Sequence, residues 1–288
     1  MTERRRGPSE EKSSNGNAGC PERLPITAVV ITENEEERIE ACLRSLRFCA
    51  EILVVDGGSV DRTVERARPF ADRIIEHSAS EVGLNGNKNL GAEEARHEWI
   101  LSVDADEIVP LELADEIRDV LKDPQYDGYE VARRTYLLDC WIRSCGWWPG
   151  YVVRLYRKEK VSWPPGVHET PSVPGGAGRL KTPLEHYSFP SIGLYLRKLD
   201  HFTRCEAREK WERGERLTAG NAPWHLFFKP MIVFVKKYLF QRGFFDGLAG
   251  FFVSVSAALA VFFNYIRLWE IQRTGKIPSQ GGRGRSDG

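Results

Sequence analysis

The chain has 288 residues, enough to bury a sizeable core as one large domain or two small ones. Lys and Arg total 41 and Asp and Glu total 41, so no global positive charge points to nucleic acid as a partner. The six cysteines form no CxxC pair and have no histidine at a zinc-finger offset, which argues against a structural zinc module.

Residues 1–23 are rich in Gly, Ser, Asn, Glu and Arg and are expected to form a disordered tail. Arg4-Arg5-Arg6 is followed by polar residues, so no secretory signal is expected. Cys42 and Cys49 fall in a helical pattern and suit buried reduced thiols, which together favour the cytoplasm. The apolar run Ile26–Ile31 has the length of a buried parallel strand. Asn34 is expected to cap a helix opening with Glu35, Glu36 and Glu37 and burying Ile39, Cys42, Leu43 and Leu46.

The alternation then repeats. Glu51–Asp56 reads as a second strand, Asp61 as the cap of a helix through Ala67, and Arg73–Glu76 as a third strand. A helix over Asn85–Arg96 and a strand over Trp99–Asp104 complete a parallel α/β pattern covered on both faces. A helix near Leu111–Leu121 follows. Then come β segments at Tyr129–Tyr136, Tyr151–Arg157 and Leu180–Ser188, and a helix over Ser191–Arg213. The expected organisation is one domain over 24–220, whose first half (24–123) carries the alternating α/β pattern and whose second half (124–220) carries the later β segments and helix. An apolar helical segment over 221–272 and a flexible tail over 273–288 follow it.

Parallel sheets bind ligands beyond the carboxyl ends of their strands. Polar residues stand at or just past four such places: Thr32-Glu33-Asn34-Glu35, Asp56, Asn87-Lys88-Asn89 and Asp104-Ala105-Asp106. Two carboxylates one residue apart on an extended chain face the same side and repel unless a cation lies between them. A hard divalent ion, Mg²⁺ or Mn²⁺, takes oxygen ligands and bridges to phosphate, which suits a departing diphosphate.

The segments Ala28–Glu35, Val54–Thr63, Asn87–Gly91 and Ser102–Glu107 resemble, in order, the motifs of glycosyltransferase family 2, and the likeness extends over roughly residues 26–270. Within that family the chain resembles the lipopolysaccharide core β-glucosyltransferases. The resemblance implies a GT-A fold: a Rossmann-like mixed, mainly parallel α/β sheet flanked by helices, here with a C-terminal apolar helical extension. It implies that Glu33, Asp56 and Lys88 hold base and ribose, with Thr32, Glu35 and Ala105 lining the donor. Asp104 would contact ribose or metal, and Asp106 would ligate the metal, completed by His186. Glu169, in Val167-His168-Glu169, would be the catalytic base of an inverting transfer, and His168 an alternative ligand or acceptor contact. Gly57 stands where many members carry a second Asp, which loosens the expected base preference.

Trp147, Trp148 and Trp163 offer aromatic faces to an acceptor sugar. Arg133, Arg134 and Arg154 read as anion contacts or as ordinary surface charge. Gly247–Ile266 is a run of 20 uncharged residues, the minimum for a membrane span, yet basic residues flank it on both sides. Lys229–Lys276 carries seven basic and two acidic residues and suits an anionic membrane surface, interfacially, re-entrantly or as a span; burial against the rest of the chain or a second protomer is the other alternative. The expected chemistry is metal-assisted transfer from a nucleotide sugar to a glycan or lipid-linked acceptor at the inner face of the plasma membrane. A nucleotidyltransferase should carry a Gly-rich basic loop where this chain has Thr32-Glu33-Asn34-Glu35. A non-catalytic nucleotide-sugar scaffold is the other alternative. Oligomeric state has no signature in the sequence.

Overall fold

A computed structural model describes residues 23–77, 79–164 and 171–277, with side chains in the helix beginning at residue 79 described from residue 85 onward. The expected tail at 1–22, the end of the C-terminal tail, His168 and Glu169 lie outside the described residues.

The first half alternates strands and helices: β1 (Leu24–Thr32), α1 (Ile39–Ser45), β2 (Cys49–Asp56), α2 (Thr63–Ala67), β3 (Arg73–Glu76), α3 (Ala79–Glu94) and β4 (Trp99–Asp104). β1 is mostly apolar because both its faces are covered, and its buried Thr27 is satisfied by donating to Glu51 at 2.7 Å. Ile26, Ala28 and Val30 join one core with α1 residues Ile39, Cys42 and Leu43. Val29 and Ile31 point the other way, into a second core with Leu53, Val55 and Ala92. On α3, Gly91 lets the helix lie directly on that face, since a Cβ there would sit 2.3 Å from Val29 Cγ1.

β5 (Glu107–Ile108), α4 (Leu111–Val120), β6 (Gly128–Leu137), β7 (Cys140–Trp141), β8 (Gly150–Arg157), β9 (Gly178–Arg179) and β10 (Leu184–Phe189) follow. The strands form one mixed sheet in the order β3-β2-β1-β4-β8-β6-β10-β5. β1 to β4 pair in parallel, whereas β8 runs antiparallel to both β4 and β6. β6 and β10 pair in parallel, which sets Thr135 beside His186.

Three local expectations are corrected. Cys49 opens β2 and does not lie in a helix, since α1 has ended at Ser45. Asn34 does not cap a helix: it sits at φ 55, its backbone N–H donates to Ser59 Oγ, and its side chain accepts from Val60 N–H. It ties two loops together, and α1 starts only at Ile39. The helix expected from Asn85 begins at Ala79.

The long α5 (Ile192–Glu212) leads to a helical section: a π-helical turn at Trp224–Phe228, α6 (Lys229–Val235), a second π turn at Lys236–Phe240, a 3-10 turn at Gly243–Asp246 and α7 (Gly247–Thr274). α7 lies along α5. Tyr195 and Ser256 share a buried hydroxyl hydrogen bond of 2.6 Å, Asn264 donates to Glu206, and Arg267 pairs with Asp200.

Candidate active site

The parallel register brings the expected residues to one edge: Thr32 stands opposite Asp56, and Ile31 opposite Asp104. Asp56 is 2% exposed and is occupied by its own loop. Its carboxylate accepts from the backbone N–H of Gly58 (3.0 Å) and Ser59 (2.9 Å) and from the Ser59 hydroxyl (2.5 Å). It therefore shapes the loop after β2. Glu35 is half-buried and paired with Arg38. Burial, resisted by Arg38 and reinforced by Asp106, raises its carboxyl. Glu33 lies half-buried in the same loop, and Thr32 Oγ1 is buried without a hydrogen-bond partner among the described residues.

The two aspartates do not share one side of a strand. β4 ends at Asp104, and Asp106 lies in the turn before β5, so strand alternation no longer governs it. Each carboxylate has its own cations. Asp104 Oδ2 receives the Arg154 guanidinium at 2.6 Å, and Oδ1 faces Lys88 Nζ at 3.4 Å. Burial pushes the Asp104 carboxyl up, but Arg154 and then Lys88 outweigh it and hold it well below the usual carboxylate range. Arg154 is 1% exposed and also pairs with the fully buried Glu107 at 2.5 Å. Glu107 in turn accepts from the Asp104 backbone N–H at 2.9 Å. Arg154 is thus neither surface charge nor an acceptor contact: it fixes the orientation of Asp104.

Asp106 Oδ1 faces His186 Nε2 at 3.5 Å, and Oδ2 faces Lys198 Nζ, on α5, at 3.5 Å. Burial raises the Asp106 carboxyl, but His186 and then Lys198 overcome this and leave it well below its ordinary value. His186 is aimed by its other nitrogen, which lies 3.1 Å from Thr135 Oγ1. A gap of 3.5 Å is long for a hydrogen bond. Two ligands about 2.1 Å from one cation stand about 3.0 Å apart at an octahedral angle and about 3.4 Å apart at a tetrahedral one. One carboxylate and one imidazole facing each other across this gap are of the right chemistry for a divalent ion, with octahedral coordination requiring them to close by about 0.5 Å. Among the described residues no group of three or more His, Cys, Asp or Glu side chains is set for a metal. The remaining ligands of such an ion would be phosphate oxygens and water, the usual arrangement for Mg²⁺.

Lys88 is largely buried, with its ammonium 4.2 Å from the centre of the Trp163 ring. Burial lowers its pKa against the pull of Asp104. Trp163, itself 7% exposed, is a floor beneath this lysine with little face left for a sugar. On α3, Asn89 exchanges two hydrogen bonds with the Trp163 backbone and Asn85 donates to the Pro164 carbonyl. These bonds fix the chain just before the segment containing His168 and Glu169. Trp147 packs on Phe189, 5.5 Å between rings, and Trp148 packs edge-on against Trp141 at 5.2 Å. Both remain half-exposed. Arg134 pairs with Glu185 at 2.9 Å, and Glu185 also accepts from Tyr136 at 2.8 Å.

Sequence reasoning did not find Lys198 or Glu107. Lys198 reaches Asp106 across 92 residues and Glu107 meets Arg154 across 47, and no local pattern announces either pairing.

A parallel sheet whose carboxyl edge gathers interlocked acids and bases in this way has the layout of a GT-A type α/β enzyme. The chain belongs to glycosyl transferase family 2, whose family model matches residues 27–184. It is therefore a glycosyltransferase. It is 28% identical to the lipopolysaccharide core biosynthesis glycosyltransferase LpsC of Rhizobium meliloti (strain 1021), over 86% of this chain and 93% of that protein. It is also 28% identical to an uncharacterized glycosyltransferase of Rickettsia bellii (strain RML369-C), over 85% of this chain and 86% of the relative. Among solved structures, S. aureus TarS 1-349 in complex with UDP-GlcNAc is 14% identical, with a TM-score of 0.44, covering 88% of this chain and 93% of that one.

Proposed function

We propose that this glycosyltransferase moves a hexose from a nucleoside diphosphate sugar, a UDP-hexose, to a glycan or lipid-linked acceptor in lipopolysaccharide or other cell-envelope glycan synthesis. The transfer inverts the anomeric carbon and takes place at the cytoplasmic face of the plasma membrane, on an anionic lipid surface. The observation that carries the reading is Asp106 held opposite His186 at 3.5 Å, beside the Asp104–Lys88–Arg154 cluster. The name of the Rhizobium meliloti relative supports the acceptor class.

In this reading the loop braced by Asp56, with Thr32, Glu33 and Glu35, receives the base and ribose. Asp104, oriented by Arg154, accepts from a ribose hydroxyl, and Lys88 stands beside it on the base and ribose. Asp106 and His186 would hold Mg²⁺ or Mn²⁺, which would supply positive charge against the departing diphosphate. Lys198 adds a second cation beside it. Glu169 takes the proton of the acceptor hydroxyl as that oxygen bonds to the anomeric carbon and the bond to the diphosphate breaks. Trp147 and Trp148 offer apolar ring faces to the acceptor.

The reading is tested with purified full-length chain and a panel of UDP- and GDP-hexoses, with and without Mn²⁺. A true donor raises the unfolding temperature in the presence of metal by linkage. It also releases nucleoside diphosphate on addition of a truncated lipopolysaccharide acceptor, with inverted product stereochemistry. Protection without turnover on any acceptor leaves a nucleotide-sugar-binding scaffold. Neither protection nor turnover overturns the assignment of substrate class.

A further inference from the structure

The helical section turns oily side chains outward. Leu248 is 83% exposed, Phe240 79% and Phe245 71%, with Trp224, Phe227 and Phe228 about half-exposed. These side chains occupy the turns around α6 and the start of α7. Between 221 and 266 the acidic residue is Asp246 alone, against Lys229, Lys236, Lys237 and Arg242. Asp246 faces inward, where its carboxylate accepts from the backbone N–H of Arg143 (3.0 Å) and Ser144 (2.9 Å). Lys237 is likewise turned in, donating to the Cys145 carbonyl at 2.8 Å. Lys236 and Arg242 are exposed beside the apolar tip. The outward surface is therefore apolar and purely basic, complementary to anionic headgroups over hydrocarbon.

The tip is a tight helical hairpin. Arg242 adopts φ 59 to turn the chain, and a Cβ on Gly250 would lie 1.9 Å from the Gly243 carbonyl oxygen. The backbone N–H of Cys145 donates to the Gln241 carbonyl at 3.1 Å. The hairpin thus grips the 143–145 loop, next to Trp147 and Trp148.

Gly243–Thr274 is long and apolar enough to cross a bilayer. Its partners oppose that. Ser256 bonds Tyr195, Asn264 meets Glu206, Arg267 meets Asp200, and Gln272 accepts from the Leu217 N–H. A span over this length would carry the charged face of α5 with it, including Asp200, Arg204 and Glu206. Charges carried to the bilayer centre are strongly disfavoured there.

We propose that the hairpin tip, residues 236–251, inserts into one leaflet of an anionic bilayer while α7 stays on α5, so the protein is monotopic. Both ends of the chain remain on one side, and the loop carrying Trp147 and Trp148 is held against the headgroups where a lipid-linked acceptor emerges. This deepens the membrane partner of the proposed function and does not depend on which sugar is moved.

The test is flotation of the full chain on sealed phosphatidylglycerol-containing and pure phosphatidylcholine vesicles. Donor hydrolysis in detergent reads the active site separately. Wild type should float with the anionic vesicles. Phe240→Asp/Phe245→Asp should lower partitioning at least about 10-fold, since each loses a buried aromatic. Lys236→Glu/Arg242→Glu should abolish the anionic preference. All three should hydrolyse donor equally. N- and C-terminal tags should both be cut by protease added outside. A protected C-terminal tag with a cut N-terminal tag overturns the proposal in favour of a span. Unchanged flotation of the Phe variant overturns it too, and so does a Phe variant that turns a dimer into a monomer while still floating, which makes the patch a contact with a second copy. Absent hydrolysis in every variant with flotation as expected sinks the donor reading alone.

Discussion

The sheet edge and the C-terminal hairpin break the ordinary rules of burial in opposite directions. At the sheet edge charges go inside: Arg154, Glu107 and Asp106 are buried, and each is matched by an opposite charge. At the hairpin apolar groups go outside, and the polar residues Ser254, Ser256 and Asn264 turn inward. Buried charge is expensive unless paired, and a large exposed apolar patch is a liability unless something covers it. Neither arrangement stabilises a free soluble protein as well as the conventional one. In the functions proposed above, each surface suits a particular environment: a diphosphate in one case, a lipid leaflet in the other.

The comparison breaks most visibly at Arg154. Arg154→Met keeps the volume but strands Glu107 in the core and frees Asp104, so urea unfolding should show a loss of about 3–5 kcal/mol. A loss below about 1 kcal/mol would mean that the cluster is not the tightly paired unit described.

Glu169→Gln is the next largest effect. Turnover should fall about 100-fold or more while donor affinity stays near wild type, measured by steady-state kinetics beside nucleotide titration. Unchanged turnover removes Glu169 from the reaction.

The pH dependence of stability is smaller. Asp104 and Asp106 both ionise more readily in the folded chain than in the unfolded one. The stability their ionised forms contribute is complete above about pH 4 and is lost as the pH falls toward their folded values. The stability of wild type minus that of Asp106→Asn should therefore shrink on going from about pH 5 to about pH 2. A constant difference removes the electrostatic pairing at Asp106.

Smallest is Ser256→Ala, which deletes one buried hydroxyl bond between α7 and α5 and should cost about 1 kcal/mol. No measurable loss would show that α7 is free of α5, and would weaken the case against a span.

What was legible in the sequence follows from what is local. β1, β2 and β4 read as strands because burial on both faces leaves continuous apolar runs, and their carboxyl ends announce Asp56 and Asp104. Asn34 misled because Asn followed by three glutamates satisfies every local rule for a helix cap, while its true partner, Val60, lies 26 residues away. The start of α3 was missed because its Gly- and Asn-rich sequence carries little amphipathic signal. The two-residue strands β5, β7 and β9 are too short to leave a period. The apolar run of α7 gives the length of a span, but the charged helix beside it is a tertiary fact that no window along the chain contains.

A cation site at Asp106, as proposed, would couple metal to nucleotide. Titrating UDP into wild type and Asp106→Ala, each in Mn²⁺ and in EDTA, addresses it directly. Wild type should bind UDP at least about 10-fold more tightly with Mn²⁺, a difference of about 1.4 kcal/mol. Asp106→Ala should bind equally with and without the metal. An undiminished metal effect in the variant would contradict the account.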